Sequence, residues 1–179
     1  MSEASTSSKS APTSPLKTPD TSLSVMPPSS LVTPRRYDLA VKWRYFKHLL
    51  SQDDPQSEKI YVWHIMCRTG GQEAWKKKTE DYIASAENLL ASMEREGFNP
   101  KRAIPIDPDG EFLAGAHRIA CSLALGIPEI PVERVTGRVW APAWDYDWFV
   151  NAGMDYDGMQ RLEADMLELM GKDRGPRDE

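Results

Sequence analysis

Residues 104–132, IPIDPDGEFLAGAHRIACSLALGIPEIPV, carry the order of elements that decides the fold. The apolar run Ile104-Pro105-Ile106 predicts a short strand. It meets Asp107-Pro108-Asp109-Gly110, a turn signal in which proline presets φ, aspartate can bond its own backbone and glycine accepts positive φ. Glu111-Phe112-Leu113-Ala114 then predicts a second short strand ending at Gly115. From His117 to Leu125 the chain is almost wholly apolar and stops at Gly126, a favourable residue just past a helix end, so this piece predicts a buried helix. Ile127 to Val132 supplies β-branched residues, with two prolines that predict a place at the end or edge of a sheet.

The start of that helix is unusual in its charge. A helix N-terminus exposes unsatisfied N–H groups and a partial positive charge, so acidic residues and Ser or Asp caps are normally found there. Here Gly115 and Ala116 lead directly into His117 and Arg118. Two readings fit. Either an anion, most commonly phosphate, sits among these groups, or Arg118 pairs with Asp107, Asp109 or Glu111 while His117 is a satisfied core residue.

The pattern D-G-x-x-x-x-G-x-H-R-x-x-A, followed by L-G-I-P-x-I-P-V, resembles the nucleotide-binding core of the ParB/sulfiredoxin superfamily. Asp109, Gly110, Gly115, His117, Arg118, Ala120, Gly126 and Pro131 fall on it. The resemblance covers roughly thirty residues and implies that the glycine turn and the His-Arg pair hold nucleotide phosphates at a helix start. Members of that superfamily include a sulfinic acid reductase, CTP-hydrolysing clamps and small-molecule kinases, and likeness of fold does not choose among these chemistries.

Departures from the pattern narrow the choice. The reductase resemblance requires a cysteine directly before the histidine, where this chain has Ala116; Cys121 lies in an apolar run and reads as a small buried hydrophobe. The free-serine kinase branch has an acid directly before the glycine, and that place is Ala114, which leaves Asp107 and Asp109 of the adjacent turn as the nearest carboxylates. The boxes and the helix-turn-helix domain of ParB itself are not visible.

Ahead of this core, Tyr37 to Leu50 places Leu39, Trp43, Phe46, Leu49 and Leu50 on one stripe of an amphipathic helix. Asp54-Pro55 reads as a cap with proline at the first helical position, opening a second helix through Cys67. His64 lies beside its apolar stripe. Tyr61-Val-Trp-His64-Ile resembles a Tyr-x-x-His-Ile element of ParB-like proteins from bacterial surface-polysaccharide gene clusters, which makes His64 a secondary catalytic candidate beside its plainer reading as a core histidine. Gly70-Gly71 breaks the helix, and Lys76-Lys77-Lys78 form a basic loop, with Lys77 a phosphate clamp or a solvated charge. Glu73 in the same loop is a weak candidate base. Thr79, followed by Glu80 and Asp81, predicts the cap of a long helix over Glu80 to Glu96.

Behind the core, Trp140, Trp144, Tyr146 and Trp148 form an aromatic run, read either as a wall for a ring of a ligand or as a flap over the core. Met154 to Met170 predicts one last amphipathic helix. At the other end, residues 1–34 are rich in Ser, Thr and Pro with too little apolar content to offset ordering entropy, so they predict a disordered tail. Ser14-Pro15 and Thr18-Pro19 are phosphorylation candidates within it. No run has the length of a membrane span and no secretory core is seen, which predicts a cytoplasmic protein.

The whole chain carries −5, and the first 36 residues contribute +2 through Lys9, Lys17, Arg35 and Arg36 against Glu3 and Asp20, leaving −7 for the remainder. That sign argues against nucleic acid as a partner. Cys67 and Cys121 have neither the spacing of a zinc site nor that of a disulfide framework.

The expected fold is α/β (α+β): a small mixed sheet with packed helices in one domain over 35–171, between the tail and a frayed terminus at 172–179. The leading expectation for function is a nucleotide-dependent phosphotransferase acting on a small hydroxyl-bearing metabolite or sugar. Gly110, Gly115, Ala116, His117, Arg118 and Lys77 would hold phosphate. Asp107 and Asp109 would hold Mg²⁺ or take the hydroxyl proton, and ATP, ADP or CTP with Mg²⁺ would be the cofactor. The alternatives are a non-catalytic nucleotide-sensing or partner-binding module and, third, a DNA-partition accessory. Oligomeric state is not specified by anything in the sequence.

Overall fold

The computed structural model describes residues 23–70, 78–136 and 143–171. It is of mixed α and β class. In chain order the elements are β1 (Leu23–Met26), a 3₁₀ turn (Pro28–Leu31), α1 (Asp38–Ser51), α2 (Pro55–Thr69), α3 (Thr79–Glu96), a 3₁₀ turn (Pro100–Arg102), β2 (Ile104–Ile106), α4 (Ala116–Ala124), β3 (Ile130–Arg134), α5 (Tyr146–Asn151) and α6 (Tyr156–Leu169). Among the described residues no helix is long and apolar enough to cross a membrane.

Of the expected stripe, Leu39, Trp43 and Phe46 are buried on α1, which packs against α4, α2 and α6, whereas Leu50 at its last turn is exposed. Burying each such side chain contributes about 1.5–3 kcal/mol, so this helix is the spine of the core. Asp54 caps α2 by accepting the Gln56 N–H at 3.2 Å, with Pro55 at the first helical position. The cap of α3 lies one residue earlier than expected: Lys78 is the N-cap, and its N–H donates to the Asp81 carboxylate at 3.2 Å.

The sheet has the order β1-β3-β2, antiparallel between β1 and β3 and parallel between β2 and β3. Two expectations are corrected here. Strand β3 is central rather than at the edge, because Pro131 precedes the ladder with β2, whose register begins at Val132 opposite Ile104. Its other neighbour, β1, comes from the segment expected to be disordered: Leu23–Met26 pairs with Ile130 to Glu133, and Leu31 just behind it is 1% exposed. The fold therefore begins at least as early as Leu23, not at 35.

A third correction concerns Glu111 to Ala114. Instead of a strand there is a single antiparallel bridge, Ile106 to Phe112, with Leu113 N–H donating to the Pro105 carbonyl at 2.9 Å. The chain thus turns at Asp107–Gly110 and runs back along β2. The aromatic run near the C-terminus is also not a plain flap, since Tyr146–Asn151 is helical and Asp145 caps it by accepting the Trp148 N–H at 3.0 Å. Trp140 lies outside the described residues.

Candidate functional site

The reversal after β2 decides where the helix start lies. Running back along the strand, the chain brings Gly115 to the beginning of β2, not its end. Gly115 takes φ +95°, and a Cβ placed on it would stand 2.6 Å from Ile104 Cδ1 and 2.9 Å from Arg118 Nη2. Only glycine fits both the backbone angle and the space. Helix α4 begins at the next residue with no side-chain cap, and the Arg118 guanidinium curls back over that start.

Arg118 Nη1 donates to the Arg102 carbonyl, and it lies 3.5 Å from the Ala103 carbonyl. Its guanidinium has no acidic partner among the described residues, so the reading in which it pairs with Asp107, Asp109 or Glu111 fails. Burial, then the neighbouring charge of Arg102, lowers its pKa from the ordinary arginine value, which still leaves a cation. His117 Nε2 lies 2.9 Å from the Tyr61 hydroxyl, which also reaches the Tyr82 carbonyl at 3.4 Å. The Tyr61 ring is in turn stacked on Tyr45 with centroids 4.3 Å apart. The imidazole is thus positioned by a rigid aromatic pair.

Gly115, Ala116, His117 and Arg118 face a cavity of about 750 Å³. Tyr82, Ser85, Asn88, Leu89 and Ser92 of α3 form a second wall, and Arg36, Arg68 and Trp144 a third. Four arginines and a histidine line it, with no Asp or Glu among the described lining residues. Its volume lies within the range of sites for small organic ligands, roughly 300–1,000 Å³.

Arg36 was not singled out by the sequence, because its place at the cavity depends on Phe112 and Trp144, far along the chain. The side chain is 3% exposed and forms a two-pronged pair with Asp38 at 2.8 and 3.0 Å. Its Nη1 donates to the Phe112 carbonyl at 3.1 Å, and the guanidinium lies over the Phe112 ring, 3.4 Å from its centroid. Lys42, fully buried, donates to the same carboxylate at 2.8 Å. Burial pushes the Asp38 pKa up, but Lys42 and Arg36 outweigh it and hold the carboxyl well below its usual range. Burial also brings the Lys42 ammonium down to about 8, against the opposing pull of Asp38.

Other expected site residues stand elsewhere. Asp107, Asp109 and Gly110 form the turn at the far end of β2, about 10 Å from its start at the strand's rise per residue, and do not line the cavity. Asp107 spends its carboxylate on the Glu111 N–H at 2.8 Å, closing the turn. Arg134 reaches over it to the Pro108 carbonyl at 2.8 Å. Among the described residues no group of three or more His, Cys, Asp or Glu side chains is placed to hold a metal ion.

His64 is likewise corrected. It is 0% exposed, stacks on Phe149 with centroids 5.3 Å apart, and is enclosed by Trp144 and Trp148. Among the described residues neither ring nitrogen has a hydrogen-bond partner. Burial, reinforced by Lys42, holds its pKa well below the ordinary histidine value, so it is a neutral core residue out of reach of a ligand. Cys121 is buried, its thiol pushed up to about 12 by burial and then Glu94, in agreement with an inert core thiol. Lys77 and Glu73 lie outside the described residues.

Comparison with protein-family models, with curated proteins and with solved structures returns no match. The ParB/sulfiredoxin resemblance accordingly rests on the motif residues themselves.

Proposed function

We propose that the chain binds a phosphate-bearing small molecule, with a nucleotide as the leading example, in the cavity at the start of α4. The observation that carries this reading is the sign of the lining: Arg36, Arg68, Arg102, Arg118 and the uncapped N-terminus of α4 converge there without a described carboxylate. Backbone N–H groups at the helix start and the Arg118 fork are complementary to phosphate oxygens. Trp144, Leu89 and Leu113 offer apolar surface for the ring of a nucleoside.

Within this reading a nucleotide-sensing or partner-regulating module fits the lining better than a kinase. Phosphoryl transfer needs a group to hold the metal and another to take the hydroxyl proton, and Asp107 and Asp109 are placed away from the cavity. A phosphotransferase would have to use His117 as the proton acceptor, and this second reading is supported by the way Tyr61 positions its imidazole.

Isothermal titration with ATP, ADP and CTP, with and without Mg²⁺, tests both. Binding by the wild type, weakened about ten-fold or more in Arg118→Gln, is the expected result for loss of a charge-assisted contact. Absence of binding to all three nucleotides sinks the proposal. Nucleotide turnover in the presence of hydroxyl-bearing metabolites, lost in His117→Gln, would favour the transferase over the module.

A further inference from the structure

Of the four arginines around the cavity, two are already held by the chain itself. Arg36 forms its two-pronged pair with Asp38 and donates to the Phe112 carbonyl. Arg68 is engaged by other groups of the chain, and its guanidinium lies 6.0 Å from the Trp144 ring centroid. Neither calls for a ligand to meet its charge.

Arg118 and Arg102 differ from that pair. Among the described residues no carboxylate forms an ion pair with either of them. Arg118 meets the Arg102 carbonyl and stands 5.9 Å from the Phe98 ring centroid, and both contacts leave its charge uncancelled. The two side chains are close enough for the charge of Arg102 to add to burial in lowering the Arg118 pKa. Like charges at that separation oppose one another unless an anion comes between them. They stand, moreover, at the uncapped start of α4, and the first N–H groups of a helix have no partner within it.

The count of charges describes the ligand. A phosphate monoester carries about −1.5 to −2 at neutral pH and offers three strongly accepting oxygens. Two guanidiniums and one helix start match it in charge and in donors. A chain of phosphates brings further negative charge, which Mg²⁺ ordinarily offsets while held by one or two protein carboxylates. No Asp or Glu lines the cavity among the described residues.

We infer that the cavity takes a nucleoside monophosphate without a divalent metal, its single phosphate held by Arg118, Arg102 and the start of α4. This rests on the phosphate-binding reading of that helix start and adds the class of the ligand: one phosphate ester, not a polyphosphate. Trp144, Leu89 and Leu113 take the base.

Calorimetric titration of the full chain with AMP, ADP and ATP at fixed ionic strength, each in EDTA and in Mg²⁺, is the test. AMP should bind at least as tightly as ADP and ATP, and Mg²⁺ should leave its affinity unchanged. Arg102→Gln and Arg118→Gln should each weaken AMP about ten-fold, whereas Arg68→Gln should change it less than about three-fold. Circular dichroism checks the folding of each variant, and Arg102, being exposed, gives the variant least able to disturb the fold. ATP binding more than about three-fold tighter than AMP, or binding that requires Mg²⁺, overturns the monophosphate while leaving phosphate binding intact. AMP affinity that survives in the folded Arg102→Gln variant also overturns it. Binding of none of the three overturns phosphate binding itself, and the monophosphate with it.

Discussion

Gly115 lies against Ile104 so closely that a methyl group on its Cα would fall 2.6 Å from Ile104 Cδ1. This contact fixes the start of α4 to the start of β2. Gly115→Ala should therefore cost about 2–3 kcal/mol, from left-handed backbone strain together with overpacking. Gly110→Ala is the control: its φ is +91° but nothing lies within 4 Å of the added carbon, so only the strain of about 1–2 kcal/mol applies. Urea unfolding of both variants reads the difference.

His64 predicts an acid limb in the stability curve. Its folded pKa is depressed, so below about 6.5 the unfolded chain takes a proton that the folded chain refuses. Stability is unaffected above that value and falls as the pH drops below it, by up to about 1.4 kcal/mol per unit. His64→Phe should flatten this limb and, by removing two unpaired buried nitrogens, stabilise the fold at neutral pH by about 1 kcal/mol. Chemical denaturation from pH 5 to 7.5 is the check.

Asp38→Asn should be among the most damaging single changes, because it leaves Lys42 and Arg36 buried against a neutral amide. Removing one partner of a buried ion pair typically costs about 3–5 kcal/mol. The wild-type carboxylate is depressed, so its stabilising contribution is present above the ordinary carboxylate range and is lost as the pH falls below it. The double variant Asp38→Asn with Lys42→Met should recover part of the loss; a thermal melt no better than the single variant would refute that coupling.

Tyr61→Phe keeps the ring stack on Tyr45 but removes the hydroxyl 2.9 Å from His117 Nε2. The expected cost is about 1 kcal/mol, with a change in the His117 ring ¹⁵N shifts as the tautomer is released. Unchanged shifts would mean that Tyr61 does not hold this imidazole.

Leu31→Ala tests the start of the fold. A side chain 1% exposed should cost about 2–4 kcal/mol on truncation, whereas a residue in an unstructured tail would cost nothing measurable.

What the sequence makes legible here follows the range of the interaction. Periodicity exposes α1, α2, α3 and α6, because Leu39, Trp43 and Phe46, or Met159, Leu162 and Met166, repeat within one turn or two. The Gly115 to Arg118 constellation is legible for the same reason, its parts being adjacent. Leu23-Ser-Val-Met26 is not, since its only claim to be a strand is its partner β3, far along the chain, and its Leu23 and Val25 remain exposed. Arg36 becomes a cavity wall through its bridge to Trp144, a distant segment, whereas Trp144 itself stands in the aromatic run that the sequence offers as a wall. Asp107 and Asp109 mislead in the opposite way: they are near Gly115 in sequence, but β2 and its returning segment carry them to the other end of the strand.

The position of β3 between β1 and β2 also sets an order on folding. Leu23 pairs with Glu133, and Ile104 with Val132, so neither outer strand has its partner until nearly three-quarters of the chain has been made. Non-local pairings of this kind demand loop closure before any contact rewards it. During synthesis β1 emerges ahead of α1, α2 and α3, and it waits unpaired while they form. The slow step should therefore be the arrival of Ile130–Arg134, which completes the sheet from both sides at once.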